Sequence, residues 1–304
     1  MSVASLRPPD TGRRLQGLLL VGAGSVLWST GGVFIRLLDL DLWTMQVWRS
    51  LFAAASLLLL IAATHGRRTP LAFRAIGAAG LVAAPVSAVS MMAYVAAVQA
   101  TTVANVMIVY ATVPLLAAGV AFLWIGERPG RRTLIAAVAA FAGIVVMAGA
   151  ATRAGDVLGD ALALLMTLTF AVLVVMARRH PALPMAVVNA LAALLCAAGC
   201  VPLMQPGVPD AGTLAILAAF GIVTTSLAYL LFLLGARHIP SGEAGLLGLL
   251  DTVLAPFWVW LGFGETPAAA TVLGGCVVLA SVVWYLAGGR RSLNRAIDSQ
   301  SPSC

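Results

Sequence analysis

An all-helical integral membrane fold, with ten transmembrane helices in two inverted five-helix repeats, is the architecture that this 304-residue sequence predicts. Three observations predict it: a composition too apolar for water, ten apolar runs joined by short arginine-bearing loops, and a weak self-similarity between the halves. Hydrophobic residues make up 61% of the chain and charged residues 10%. A soluble domain carries roughly 25% charged residues, so lipid must be the main solvent of this chain.

Apolar stretches long enough to cross ~30 Å at ~1.5 Å per residue predict helices over 15–38, 43–63, 75–98, 103–125 and 133–151, then 159–177, 184–204, 212–235, 241–263 and 268–287. Residues 1–14 are polar and contain no apolar region or cleavage site, so the first run is expected to remain as a membrane helix. Residues 288–304 form a polar tail, expected in the cytoplasm.

All eighteen basic residues are arginine. With a cytoplasmic N-terminus, Arg7, Arg13, Arg14, Arg67, Arg68, Arg74, Arg128, Arg131, Arg132, Arg178, Arg179, Arg237, Arg290, Arg291 and Arg295 all fall inside, fifteen of the eighteen. Arg36, Arg49 and Arg153 remain, while Asp39, Asp41, Asp156, Asp210 and Glu265 sit on the other side. The bias predicts both termini inside. The net charge of +7 therefore reports topology and affinity for an anionic leaflet, and no nucleic-acid partner is expected.

The halves match weakly from end to end. Gly126-Glu127-Arg128-Pro129 aligns with Gly264-Glu265-Thr266-Pro267 at an offset of 138, and Ala104 falls on Gly242. An offset of 142 sets Gly17 on Gly159, Trp28 on Phe170 and Arg36 on Arg178, and an offset of 140 sets Met45 on Met185. A unit of five helices, repeated, must enter the membrane upside down, the arrangement of transporters whose sites lie between the halves. The repeats are placed at 15–151 and 159–287.

Leu27-Trp28-Ser29 in the first helix, Trp48-Arg49 followed by an Ala/Leu run in the second, and both Gly-Glu-x-Pro junctions carry a resemblance. The chain resembles the drug/metabolite transporter superfamily with two EamA-type repeats, and within it the YddG-type aromatic amino-acid exporters, over residues 15–288. The resemblance implies a ten-helix basket around a central cavity lined by helices 1, 3, 4, 6, 8 and 9, with helices 5 and 10 outside. It implies a small-molecule substrate, a multi-pass bacterial inner-membrane protein working as a monomer, no cofactor and no enzymatic activity. Phe170 departs from the pattern by replacing the second repeat's tryptophan. The small multidrug exporters of the same superfamily carry a membrane glutamate in their first helix. None lies between Leu15 and Ile35, so proton antiport does not carry over.

An ionisable group in the apolar core costs about 2.5–3.5 kcal/mol on insertion scales, so each needs a reason. Asp251, midway along the ninth helix, either faces the cavity or makes a structural hydrogen bond. Glu243 is expected to cap that helix near its start, and Arg49 to snorkel to the surface. Trp28, Tyr94, Tyr110, Phe170 and Tyr229 sit at mid-membrane depth on the helices that the resemblance assigns to the cavity. Their flat faces suit an aromatic or cationic substrate. Ser90 and Thr169 are polar candidates beside them, with Asn105 and Ser226, although a helix can satisfy a hydroxyl through its own carbonyls.

Trp43, Trp124, Trp258, Trp260, Trp284 and Tyr285 read as interface anchors. Pro114 and Pro256 interrupt helices 4 and 9, either as a paired hinge for alternating access or as static bends. Pro85 and Pro202 read as static bends. Small residues at four-residue spacing, Ala136 with Ala140, Ala139 with Gly143, and Thr271 with Gly275, predict close packing of helices 5 and 10. Cys196, Cys200 and Cys276 read as small buried hydrophobes, and Cys304 is the last residue. His65, His180 and His238 fall in or beside cytoplasmic loops without ligand spacing, so no metal or catalytic site is expected.

These readings favour export of small amphiphilic metabolites, foremost aromatic and other apolar amino acids, by alternating access. Export of cationic drugs is the alternative. A nucleotide-sugar transporter would need basic groups in the cavity, where only Arg36 is expected, and a lipid enzyme would need a nucleophile with its base or a metal cluster.

Overall fold

The computed structural model describes residues 11–126, 130–148, 154–236, 238, 247–248 and 250–298. Arg7, Glu127, Arg128, Pro129, Arg153, Arg237, Gly242, Glu243 and Cys304 lie outside the described residues, as do the side chains of Asp156, Arg178, Tyr285, Arg290, Arg291 and Arg295. Among the described residues every regular element is a helix.

The first predicted span consists of α1 (Thr11–Ser29) and α2 (Gly31–Leu37), and the second is α3 (Leu42–His65). A short helix absent from the sequence reading, α4 (Thr69–Arg74), leads into α5 (Gly77–Ala100). The fourth segment is split into α6 (Val103–Tyr110) and α7 (Val113–Ile125), followed by α8 (Arg131–Ala148). In the second half α9 (Ala154–Arg179) and α10 (Met185–Cys200) precede α11 (Ala211–Phe220) and α12 (Ala228–Ala236). The π-helical turn Gly221–Leu227 joins these last two without a break. The chain closes with α13 (Leu250–Phe263) and α14 (Ala269–Asp298).

Helix α14 runs past the predicted boundary at 287, although its apolar part ends at Trp284. Asp41 and Asp210 start α3 and α11 in the same way. Asp41 Oδ2 accepts from the Trp43 and Thr44 N–H groups at 3.1 and 3.0 Å, and Asp210 Oδ1 from those of Gly212 and Thr213 at 2.9 and 3.1 Å. The Thr213 hydroxyl and these N–H groups hold the Asp210 carboxyl below the usual carboxylate range. The two Gly-Glu-x-Pro junctions also share a device. Gly126 and Gly264 both turn left-handed, at φ 77° and 66°, and their N–H groups close the preceding helix on Phe122 and Trp260.

Among the described residues six helices are long and apolar enough to cross a membrane, and α6 with α7 makes a seventh if the bent pair counts as one. Leu134–Val146, Leu250–Phe263 and Ala269–Trp284 are apolar but shorter. They occupy the fifth, ninth and tenth predicted positions. Large apolar side chains face outward in quantity, Leu59, Leu123 and Val138 being 71%, 84% and 71% exposed. Such a surface is a defect in water and ordinary in lipid.

The packing respects the repeat. Helix α5 lies on α9, and under exchange of the halves this becomes the contact of α11–α12 with α1. The contact of α5 with α10 becomes that of the π turn and α11 with α3, and α6–α7 on α9 becomes α13 on α1–α2. The pairs α3 with α10, α6 with α13 and α8 with α14 map onto themselves.

Glycines set the closest seams. A Cβ at Gly221 would lie 2.5 Å from the Arg49 carbonyl oxygen, one at Gly235 2.7 Å from that of Gly17, and one at Gly143 2.7 Å from that of Gly274. Ala136 and Ala140 are buried in the α8–α14 seam region, and Gly275 abuts Ile108. Cys196 and Cys200 are buried, whereas Cys276 is exposed on α14, which corrects its expected burial. An exposed small apolar thiol costs nothing in lipid.

Candidate functional site

A cavity of ≈ 470 Å³ lies among the helices, within the size range of small-molecule sites. From the first half Trp28, Gly31, Arg49, Ser90, Tyr94 and Tyr110 reach its wall, with Ser87, Met91 and Met107 between them. From the second half come Met166, Phe170, Leu173, Met185, Asn189, Thr224, Thr225, Tyr229, Phe232 and Asp251. Of the residues anticipated for binding, Trp28, Ser90, Tyr94, Tyr110, Phe170, Tyr229 and Asp251 line this space.

Thr169 does not, which corrects its expected place. Its hydroxyl donates to the Leu165 and Met166 carbonyls at 2.8 and 2.9 Å, so the helix's own backbone satisfies it. Arg49 is the second correction. It is 5% exposed and faces the cavity, where the sequence suggested a surface-seeking side chain. Helices 2 and 7 therefore contribute to the wall, through Arg49 on α3 and through Met185 and Asn189 on α10, beyond the six helices implied by resemblance. Among the described residues helices 5 and 10 contribute none of its lining.

The aromatic wall is ordered by ring contacts. Trp28 meets Phe232 at 5.0 Å with planes tilted 46°, and Tyr110 meets Phe170 at 5.5 Å with a 52° tilt. These are the offset and tilted geometries that aromatic quadrupoles prefer. Trp28 and Phe170, equivalent in the repeat, thus each have an aromatic companion. Gly31 makes room for Tyr94, since a Cβ there would lie 2.5 Å from the phenolic oxygen. Ser90 donates to the Met166 carbonyl at 3.2 Å, tying α5 to α9. Trp258 is no simple interface anchor, because its Nε1–H donates to Ser29 Oγ at 2.9 Å beside the cavity. Trp124, Trp260 and Trp284 are 45%, 49% and 44% exposed, as anchors are, and Arg132 stacks on Trp284 at 4.3 Å.

At one end the cavity reaches Ala177 and Met185, which flank the Arg179–Pro184 connection. Toward the other end it is replaced by a polar network. Arg36 Nε donates to Glu265 Oε2 at 2.9 Å, and its Nη2 donates to the Thr101 carbonyl at 2.9 Å. Glu265 Oε1 accepts the Val103 N–H at 2.9 Å, at the start of α6. Asn105, off the cavity wall, accepts from the Thr271 hydroxyl at 2.8 Å and donates to Asp160 and Thr101 at 3.3 Å. Five segments are thereby held together. Ser226 is likewise structural, hydrogen-bonded to Ser56.

Among the described residues no group of histidines, cysteines and carboxylates could hold a metal ion. The EamA-like transporter family matches the chain twice, over residues 15–149 and 157–287. The chain belongs to the EamA-like transporter family. This EamA protein is a membrane transporter of the drug/metabolite superfamily. No curated protein matches it significantly. One solved crystal structure, described only as that of a protein, shares 21% identity, covers 90% of this chain and 97% of its own, and superposes with a TM-score of 0.59. That likeness carries the fold alone.

In this EamA chain the prolines act differently from one another. Pro114 is not inside a helix but in the first turn of α7, and α6 and α7 meet at 42° just before it. Proline has no N–H for the carbonyl four residues back and crowds it, so the chain breaks at Ala111–Thr112. Pro256 lies inside the continuous α13, and Pro85 inside α5. As a hinge hypothesis, Pro114→Ala slows exchange by about three- to tenfold with little change in equilibrium affinity, whereas Pro256→Ala has the smaller effect. Unaltered turnover in Pro114→Ala, measured in liposomes, leaves a static bend.

Proposed function

We propose that this chain is a ten-span secondary transporter of the bacterial inner membrane, with both termini cytoplasmic, that exports small amphiphilic metabolites as a monomer by alternating access. Aromatic and other apolar amino acids are the substrates that fit best. One observation carries the reading: a single cavity combines Trp28, Tyr94, Tyr110, Phe170 and Tyr229 with four methionines and one buried carboxylate, Asp251. Aromatic faces and adaptable thioethers accept varied apolar side chains, and the carboxylate attracts an ammonium group.

The orientation rests on the arginine count. With it, the cavity runs toward the cytoplasm at Ala177 and Met185, and the Arg36–Glu265 network closes the outer side. This is the state that would load substrate from inside. Export of purely cationic drugs is the second reading, favoured by Asp251 among aromatic rings, but Arg49 on the same wall repels a cation that has no negative group of its own.

Radiolabelled counterflow in liposomes tests the proposal, with phenylalanine, tryptophan, leucine and alanine as probes. Trp28→Ala and Tyr229→Ala are expected to weaken exchange of tryptophan and phenylalanine by roughly two- to twelvefold, the worth of one aromatic contact, and that of alanine little. Equal losses for every probe at normal expression would mean that these rings only pack. No exchange of any amino acid by the wild type would end the substrate assignment.

A further inference from the structure

We infer that Arg49 is the receptor for a carboxylate, so that the cavity binds a zwitterion with its carboxylate on the Arg49 guanidinium and its ammonium on Asp251. The inference deepens the transport reading and rests on it.

Arg49 sits on the wall of the cavity at 5% exposure, one turn or more inside the membrane from the Asp41 cap. Among the described residues no carboxylate lies within ion-pair distance of it, and its buried Nε has no hydrogen-bond partner. What holds it is geometric. Its guanidinium carbon lies 5.0 Å over the Phe220 ring, and Phe220 stacks on Phe34 at 5.4 Å with planes 13° apart. Behind it, Gly221 lets the π turn between α11 and α12 press against the Arg49 backbone. The side chain is thus fixed in place while its charge is left without a counter-ion.

A buried guanidinium without an anion is expensive, and a protein that needed only packing there would do better with an apolar residue. The planar fork of arginine matches a carboxylate by two parallel hydrogen bonds. Among the described residues Asp251, on α13, is equally without an ion partner, and it accepts a hydrogen bond from the Thr252 hydroxyl at 3.3 Å. The two charges do not neutralise each other, as no Arg49–Asp251 pair forms, and the Tyr94 hydroxyl lies within electrostatic range of both. A guanidinium and a carboxylate on one cavity wall, with aromatic rings beside them, offer an α-amino acid a partner for each of its charges and a surface for its side chain. A single guanidinium also suits one negative charge and not the several charges of a nucleotide diphosphate.

The test uses the full-length protein in detergent and three probes that share a phenyl ring: phenylalanine, 3-phenylpropionate and phenethylamine. Binding is read from tryptophan fluorescence and thermal shift. Arg49→Gln is expected to weaken phenylalanine and 3-phenylpropionate at least about tenfold, the scale of a lost charge-assisted bond, and to leave phenethylamine within about twofold. Loss of all three alike, or of none, overturns the assignment. If Arg49→Gln is not monodisperse, Arg49→Lys decides, since it keeps the charge and loses the fork: a selective weakening of the two carboxylates of about threefold or more supports the receptor, and no selectivity overturns it. Counterflow reads the transport proposal separately. Wild-type exchange of phenylalanine that persists at full affinity in Arg49→Gln removes Arg49 alone, whereas a wild type that binds none of the three probes removes both.

Discussion

Asp251→Asn is expected to lose at least about tenfold in the affinity for ammonium-bearing substrates, because a charge-assisted hydrogen bond in a dry site is worth about 1.5–3 kcal/mol. Asp251 is 8% exposed, and the Thr252 hydroxyl alone cannot satisfy a carboxylate with two oxygens. The substrate contact is a hypothesis motivated by the place of this carboxylate on the cavity wall. Binding and counterflow measured across pH separate its roles. Loss at every pH identifies a substrate contact, and retained binding without pH dependence identifies proton coupling. Wild-type flux in the variant rejects both. No acid accompanies Asp251 in the first span between Leu15 and Ile35, so facilitated exchange down a gradient is the expected mechanism.

The second large effect is expected at Glu265. Its two oxygens serve different partners, Arg36 and the Val103 N–H, so Glu265→Ala removes an ion pair and a helix start together. The Arg36 and Glu265 side chains are 26% and 21% exposed, which moderates the electrostatic part, and about 2–3 kcal/mol for both contacts is a reasonable sum. A closure weakened by that amount shifts a two-state balance by about 30- to 150-fold. In a cysteine-free background carrying Met107→Cys, an impermeant maleimide applied from outside should label Glu265→Ala several-fold faster than the parent, and exchange should fall. Equal labelling rates would show that the network is a passive brace. In the sequence the repeat offsets set Arg36 on Arg178 and Glu265 on Glu127, so the same residue types recur at equivalent positions of the repeat.

The helical class and the pairing of the halves were legible because lipid imposes long apolar runs and because a repeat leaves matching junctions. Depth along a helix can be counted, and Trp28, Tyr94, Tyr110, Phe170, Tyr229 and Asp251, counted to similar depths, line one cavity. Rotation about the helix axis cannot be counted so easily. Arg49 stands near one end of its span, within reach of the surface by length alone, yet its guanidinium is buried over the Phe220 ring of another span, a contact that the sequence does not display. Asn189 was missed for the same reason. The π turn that presents Thr224 and Thr225 has no sequence signature, since its wider hydrogen bonding is set by neighbouring spans. Thr169 was misplaced by one step of rotation, and its hydroxyl settles on its own backbone.

The thioethers of the cavity bring a chemical exposure of their own. Met91, Met107, Met166 and Met185 line a space that must fill with water whenever substrate leaves. Oxidation of any of them places a polar, chiral sulfoxide where apolar surface was, and only enzymatic reduction restores the wall. A transport path built on soft sulfur is therefore also a surface on which cellular oxidants can act, and its capacity depends on the same reductases that repair exposed methionines elsewhere.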